Sequence, residues 1–383
     1  MSSLVENAKT FAALQSIEAE LLCATGGTAI EWYGRAATAL YRAYAIARRH
    51  VGAETGEAEV ILPSTSCSTP ANAALLAGVT PRFADVDRST GMPTLAHIQE
   101  RCSPRTCAVV FIHLFGQTAN LSAISDWCRT KNILLIEDNA QALGARLPNG
   151  AAVGSIGDLS VYSFNPTKIL ECGGGALLVR SERLVAVCRD VSESDPLPTE
   201  VDDERAAALA LSYRNLHHSL VGLLRSRALD EVSGAFLKLQ PAFRQLYLRS
   251  LNNPAALANA WTQLPQVLQH RHQNAQEYDD ALTHGPWRRI SQWHDSGVCW
   301  RYSLLVDFPD RLVDFSEAVR QDGFHVSNLY WPVNDFFRPS DHCPNADDFA
   351  RRIVNFWVDH SVDEKWVRRC AASLLRNAAR FAS

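Results

Sequence analysis

The chain has 383 residues, 47% apolar and 20% charged, with 41 acidic against 37 basic side chains and a net charge of −4. This is the balance of a globular chain with a sizeable core, and the length accommodates roughly two to three domains of about 150 residues. It excludes a strongly basic nucleic-acid binder, and no run reaches the ~18 uncharged apolar residues of a membrane helix.

The opening segment, MSSLVENAKTFAAL, is acidic in part and lacks a basic region leading into an apolar block, so no secretory signal is expected. Ten cysteines are scattered without a C-x-x-C pair. Neither a zinc site nor a disulfide scaffold is expected, and buried or neutral thiols in a reducing cytoplasm are.

In chain order, YGRAATALYRA (33–43) reads as a glycine entering a helix. From about 57 to 180, short β-branched runs alternate with helical stretches. The strand candidates are EVILP (59–63), CAVVFIH (107–113), NILLIED (132–138), LSVYSF (159–164) and GALLV (175–179). They are apolar without alternation, as strands buried on both faces of a parallel sheet are. Leu121, Ile124 and Cys128 share one face of a helix between two of them. Strands alternating with helices predict a three-layer α/β/α sandwich with a mostly parallel sheet. Residues 185–250 are polar, then helical, and read as a bridge. The C-terminal third predicts a smaller α+β domain. It comprises a helix at about 255–283, a strand at 298–308, a helix with Leu312, Phe315 and Val319 on one face and Gly323 at its cap, a strand from 324, and two closing helices. The last of these has Val367, Cys370 and Leu374 at helical spacing. The expected division is therefore 1–240 for an N-terminal arm and large domain, and 241–383 for the small domain.

Ligands of such sheets bind outside the carboxyl ends of the strands, and three strand ends carry chemistry. NILLIED delivers Glu137 and Asp138, with Gln141 three residues further on. A carboxylate there serves as a helix N-cap or as a partner for a protonated heterocycle nitrogen. LSVYSF ends near Ser163, and Lys168 follows the turn-forming Asn165-Pro166 pair. Only five of the 37 basic residues are lysines (Lys9, Lys131, Lys168, Lys238 and Lys365), so a lysine kept here is conspicuous. Its amine can lose a proton and attack a carbonyl, as a guanidinium in effect cannot. ECGGGA (171–176) offers close backbone approach or positive φ. Dinucleotide and P-loop signatures are absent, which disfavours a nicotinamide dehydrogenase. An acid and a lysine thirty residues apart, with a helix start for a phosphate, form the set that pyridoxal phosphate requires.

The runs ILPSTSCSTPANAALLAGVTPRFADVD, FIHLFGQ, EDNAQALGA, VGSIGDLSVYSFNPTK and GGGALLV follow in order over about residues 30–180. They resemble the DegT/DnrJ family of sugar aminotransferases, and CPNADDFARRIVNFWVDHSV (343–362) is similar to that family's C-terminal segment. The resemblance implies a fold-type-I, pyridoxal-phosphate-dependent transaminase. Such an enzyme aminates a nucleotide-linked keto-sugar with glutamate as donor and works as a homodimer with shared sites. By position, it makes Lys168 the Schiff-base lysine, Asp138 the acid on the pyridine nitrogen and Gln141 the residue near the ring hydroxyl. Ser163 and the backbone at Arg35 and Ala36 become the phosphate ligands. Cys67 stands where the family often places an aromatic over the cofactor ring. A family segment that reaches the neighbouring subunit's phosphate is missing from 247–264, where Arg249, Asn252 or Asn253 are the candidates to replace it. Members that dehydrate sugars carry histidine instead of the lysine, and a regulatory relative would lack Lys168 or Asp138. Amination of another substrate, such as a cyclitol, remains the enzymatic alternative.

Overall fold

The computed structural model describes residues 2–198, 204, 207–209, 211, 212, 215, 244, 248–251, 253–290, 296–328, 330–338 and 340–381. Among these, the strands form two sheets. The larger has the order β1-β7-β6-β5-β4-β2-β3, from β1 (Ala29–Tyr33), β2 (Ala58–Pro63), β3 (Val79–Ala84), β4 (Thr106–Ile112), β5 (Leu134–Asp138), β6 (Leu159–Ser163) and β7 (Gly175–Val179). All five strand candidates are present. Strands β3, β2, β4, β5 and β6 run parallel, whereas β7 is antiparallel to both β6 and β1. GALLV is therefore not part of the parallel run. The connection from β6 is a hairpin-like loop too short for a crossover helix.

Alternate side chains feed two cores. Val60, Leu62, Val110, Ile112, Ile136 and Val161 pack on one face, against α2 (Ala36–His50) and α3 (Ser68–Leu76). Ile61, Val109, Phe111, Leu135 and Tyr162 pack on the other, with Ile17 and Leu21 of α1 (Ser2–Thr25) and with Ile124 and Cys128 of α5 (Ser122–Thr130). Between these helices in sequence lies α4 (Leu95–Arg101). This is the three-layer arrangement expected. Helix α2 is buried along Ala36–Ala47. Its alanine-rich sequence is what a central helix pressed on several sides needs.

The second sheet, β10-β11-β9-β8, is antiparallel and comprises β8 (Trp287–Arg289), β9 (Tyr302–Val306), β10 (Val326–Ser327) and β11 (Ile353–Phe356). Several boundaries differ from the sequence reading. The long helix at 255–283 is two, α7 (Pro254–Trp261) and α8 (Leu264–Ala281), which follow α6 (Glu182–Ser194). Pro265 lies in the first turn of α8, where its missing N–H has no partner to lose. The strand from 324 is only two residues long. β8 and β11 were not foreseen, because each is too short to show a period. Helix α9 (Leu312–Gln321) ends before Gly323 at φ +90°. The short helices α10 (Asn334–Phe337) and α11 (Pro344–Ala350) precede the closing helix α12 (Glu364–Phe381), which buries Val367, Cys370 and Leu374 as expected. The boundary at 240/241 and most of the bridge lie outside the described residues.

Candidate active site

A cavity of about 430 Å³ opens at the carboxyl ends of β2, β4 and β5 and is covered by the C-terminal part of the chain. Its walls include Cys67, Asp138, Gln141, Thr167 and Lys168 from the first part, and Trp300, Tyr330 and Phe349 from the second. Among the sequence candidates, Lys168, Asp138, Gln141 and Cys67 thus meet in one space. Val333 donates its N–H to Ser64 C=O at 2.7 Å, which ties the covering segment to the loop after β2.

Asp138 ends β5, 4% exposed, and its Oδ1 accepts the Ala140 N–H at 2.9 Å. Burial pushes its carboxyl above the usual range, against the opposing pull of that N–H and of the positive charges of Lys168 and His113. The capping reading and the ligand reading are therefore compatible, since one oxygen binds the turn while the carboxylate still faces the cavity. An acid that burial disfavours as an anion is suited to a cationic partner supplied by a ligand.

Glu137 goes elsewhere. Successive strand residues point to opposite faces, and Glu137 is fully buried on the face away from Asp138. It accepts N–H groups of Gly154 at 2.9 Å and Ile156 at 2.7 Å, and contacts His113 Nε2 at 3.2 Å. Burial works against its charge, but the His113 hydrogen bond and charge, with the Gly157 and Gly154 N–H groups, outweigh it and hold the carboxyl below its usual range.

Lys168 closes a tight turn in which its N–H returns to Asn165 C=O at 3.2 Å. Pro166 holds the second position and Thr167 the third, with φ +73°. That third position ordinarily takes glycine in a turn of this pattern. Lys168 Nζ lies 5.8 Å from the Trp300 ring centroid.

Gln141 Oε1 accepts the Phe115 N–H at 2.6 Å. Phe115, at φ +57°, stacks on Trp300 with centroids 5.9 Å apart and 8° between planes, and meets Tyr330 edge-on at 5.6 Å. Aromatic cover over the cavity thus comes from Phe115, Trp300 and Tyr330, whereas position 67 carries an exposed thiol at the start of α3.

Ser163, Arg35 and Ala36 do not line the cavity. They gather beside it around Gly175. Ser163, 3% exposed, pairs with Gly175 in the β6–β7 ladder, Arg35 bridges Gly174, and a Cβ on Gly175 would stand 2.3 Å from Ala36 N. Only glycine permits that approach, and Gly173 and Gly174 have φ of +80° and +104°. Arg249 lies beside the same helix start, since its C=O accepts the Gly34 N–H at 2.8 Å. Asn253 is the N-cap of α7, with its side chain taken by Ala256 N–H at 3.0 Å, and Asn252 lies outside the described residues.

The sequence reading missed His113, Phe115, Trp300 and Arg271. His113 was reachable, because it follows the last residue of β4 at the same edge as Asp138. Trp300 and Arg271 had no local signal.

A lysine and a buried acid at adjacent strand ends, under an aromatic cover, define a carbonyl-amine site of the kind pyridoxal phosphate occupies. The DegT/DnrJ/EryC1/StrS aminotransferase family pattern matches residues 36–214, the segment that carries Asp138, Gln141 and Lys168. The chain is 28% identical over 320 residues to a dTDP-4-dehydro-2,3,6-trideoxy-D-glucose 4-aminotransferase of Saccharopolyspora spinosa, covering 82% of this chain and 76% of the relative. It is 26% identical over 324 residues to a UDP-N-acetyl-3-dehydro-alpha-D-glucosamine 3-aminotransferase of Acidithiobacillus ferrooxidans, covering 83% and 77%. In fold it is similar to PseC of Helicobacter pylori, an aminotransferase of pseudaminic acid biosynthesis, with a TM-score of 0.73 at 18% identity over 96% of this chain and 92% of that one. No helix among the described residues is long and apolar enough to cross a membrane.

Proposed function

We propose that the chain transfers an amino group from glutamate to the keto carbon of a nucleotide-linked sugar. The observation that carries this is the convergence of Lys168 and Asp138 on one cavity. The names of the two relatives support the sugar substrate. In this reading Lys168 holds pyridoxal phosphate, Asp138 faces its pyridine nitrogen and the Gln141 amide its ring hydroxyl. Cys67 stands at the edge of the ring. Ser163 and the N–H groups of Arg35 and Ala36 bind the phosphate. Spacing supports the last assignment: Ser163 lies two residues beyond Val161, the partner of Asp138, about 7 Å along the strand.

Bound there, the cofactor supplies an electron sink for the carbon that loses its proton. Lys168 Nζ is freed as an amine once the substrate's amine takes its place. It would then remove the proton from the donor's α carbon in one half-reaction and would deliver a proton to the sugar carbon that receives nitrogen in the other. The Asp138 carboxylate keeps the ring nitrogen protonated. Phe115, Trp300 and Tyr330 exclude water above the site. The ten cysteines, all unpaired, support a reducing cytoplasm.

A homodimer is part of the proposal. Phe11 on α1 is 64% exposed, an apolar group available to a partner. Light scattering that gives only the 42.3 kDa species in the active enzyme overturns it. For the reaction, the protein is loaded with pyridoxal phosphate, its visible spectrum recorded, and dTDP- and UDP-linked keto-sugars are screened with glutamate for 2-oxoglutarate release. Turnover on a keto-cyclitol and on none of the nucleotide sugars refutes the substrate assignment.

A further inference from the structure

We propose that Trp300 and Arg271 are positioning residues that hold Lys168 through its backbone, so that the lysine's placement depends on the C-terminal part of the chain being docked. The inference rests on the reading above that Lys168 carries the cofactor. The turn bearing Lys168 is strained: Thr167 is β-branched and sits at φ +73°, where such residues are outliers. Asn165-Pro166 favours a turn, but Thr167 opposes the positive φ that its third position requires, so partners from elsewhere help to maintain it.

Two hydrogen bonds do so. The Trp300 indole Nε1–H donates to Thr167 C=O at 2.6 Å, and a terminal guanidinium nitrogen of Arg271 donates to Lys168 C=O at 3.2 Å. The other terminal nitrogen of Arg271 donates to Trp300 C=O at 2.9 Å. The carbonyls of two successive turn residues are thus gripped by two side chains that are themselves linked. Both are set firmly. Arg271 on α8 is 1% exposed and Trp300 9%. The Trp300 ring stacks on Phe115, and the Arg301 guanidinium lies 4.8 Å from its centroid. Arg301 is in turn paired with Asp359 at 2.6 Å. Burial pushes the Arg271 guanidinium down to about 10, which still leaves it charged at neutral pH. A guanidinium bridging two carbonyls uses its fork geometry in a way an ammonium cannot reproduce. Trp300 acts on the side chain as well, since the Lys168 amine lies against its ring.

A double-mutant cycle on the holoenzyme separates positioning from packing. Trp300→Phe keeps a ring against Phe115 and Arg301 but removes the N–H, and Thr167→Gly removes the strain that the N–H opposes. In the Thr167 background, Trp300→Phe is expected to lower kcat about ten-fold, the rate equivalent of one net hydrogen bond, with KM for both substrates within about two-fold. The rate at which borohydride fixes pyridoxyl label on Lys168 should fall in parallel. In the Thr167→Gly background, the same substitution should cost less than about three-fold, because glycine holds positive φ unaided. Equal losses in both backgrounds, or wild-type trapping and kcat in Trp300→Phe, overturn the proposal. If Trp300→Phe loses cooperative unfolding, Arg271→Lys takes its place in the cycle with the same criteria. A wild-type protein that takes no label on Lys168 refutes the cofactor assignment and this inference with it. Label on Lys168 in wild type, with no coupling in the cycle, refutes this inference alone.

Discussion

Gln141 holds Phe115 in a left-handed backbone conformation: its Oε1 accepts the Phe115 N–H at 2.6 Å, and Phe115 in turn forms the cover over Lys168 with Trp300. One amide therefore has two jobs, since its oxygen fixes the cover and its nitrogen stays available to a ligand. Gln141→Leu should lose about 1–2 kcal/mol of stability and most activity, because it strands the Phe115 N–H. Gln141→Glu keeps the acceptor and should keep stability while losing activity. Thermal melts alongside steady-state rates check this; a destabilised Gln141→Glu would show that the oxygen is not what matters.

Lys168→Ala should abolish borohydride-fixed pyridoxyl label and cut turnover by at least ~1,000-fold, the upper range for loss of a positioned acid/base group. Peptide mapping after reduction is the check. Label on another lysine would move the anchor and overturn the assignment.

Asp138→Asn should lower kcat about 100-fold or more, the scale of removing one preorganised electrostatic group. The sign of its stability effect is opposite. Burial raises the Asp138 pKa in the folded chain, so the folded state binds more protons than the unfolded one between the two values, and stability falls as pH rises through that window. Removing the charge should therefore raise the apo-protein Tm at neutral pH by a few degrees. An unchanged or lower Tm at pH 7, measured without cofactor, would contradict the burial argument.

Glu137→Gln should destabilise the protein by about 2 kcal/mol at pH 7 through loss of charge-assisted bonds, one of them to His113. Here the folded pKa is depressed, so the contribution is complete above the unfolded carboxylate value of about 4.3 and is lost as pH falls through the folded one. Urea melts should show a full gap between wild type and variant at pH 7 that narrows below about pH 4. A gap independent of pH would mean that shape, not charge, is at issue.

The chemistry at the strand ends was legible because it is local. Apolar runs name the strands, and the residue that follows each run necessarily reaches the carboxyl edge where ligands bind. Asp138, Gln141 and Lys168 were found this way, and the glycine run at 173–175 announced a close approach that proved to be against Ala36. The direction of β7 was not legible, since GALLV reads the same in either orientation, and β8 and β11 were too short to carry a period.

The sequence by itself determined which residue types stand at the end of each central strand, because strand formation and side-chain alternation act over a few neighbouring residues. Only the tertiary structure decided that Glu137 turns away to His113 while Asp138 faces the cavity. It also decided that Phe115, Trp300 and Tyr330 meet over the cavity, and that Trp300 and Arg271 grip the turn of Lys168 from more than a hundred residues away. These contacts depend on how sheet, helix and covering segment pack against one another, and no local propensity or period encodes a hydrogen bond between residues so distant along the chain.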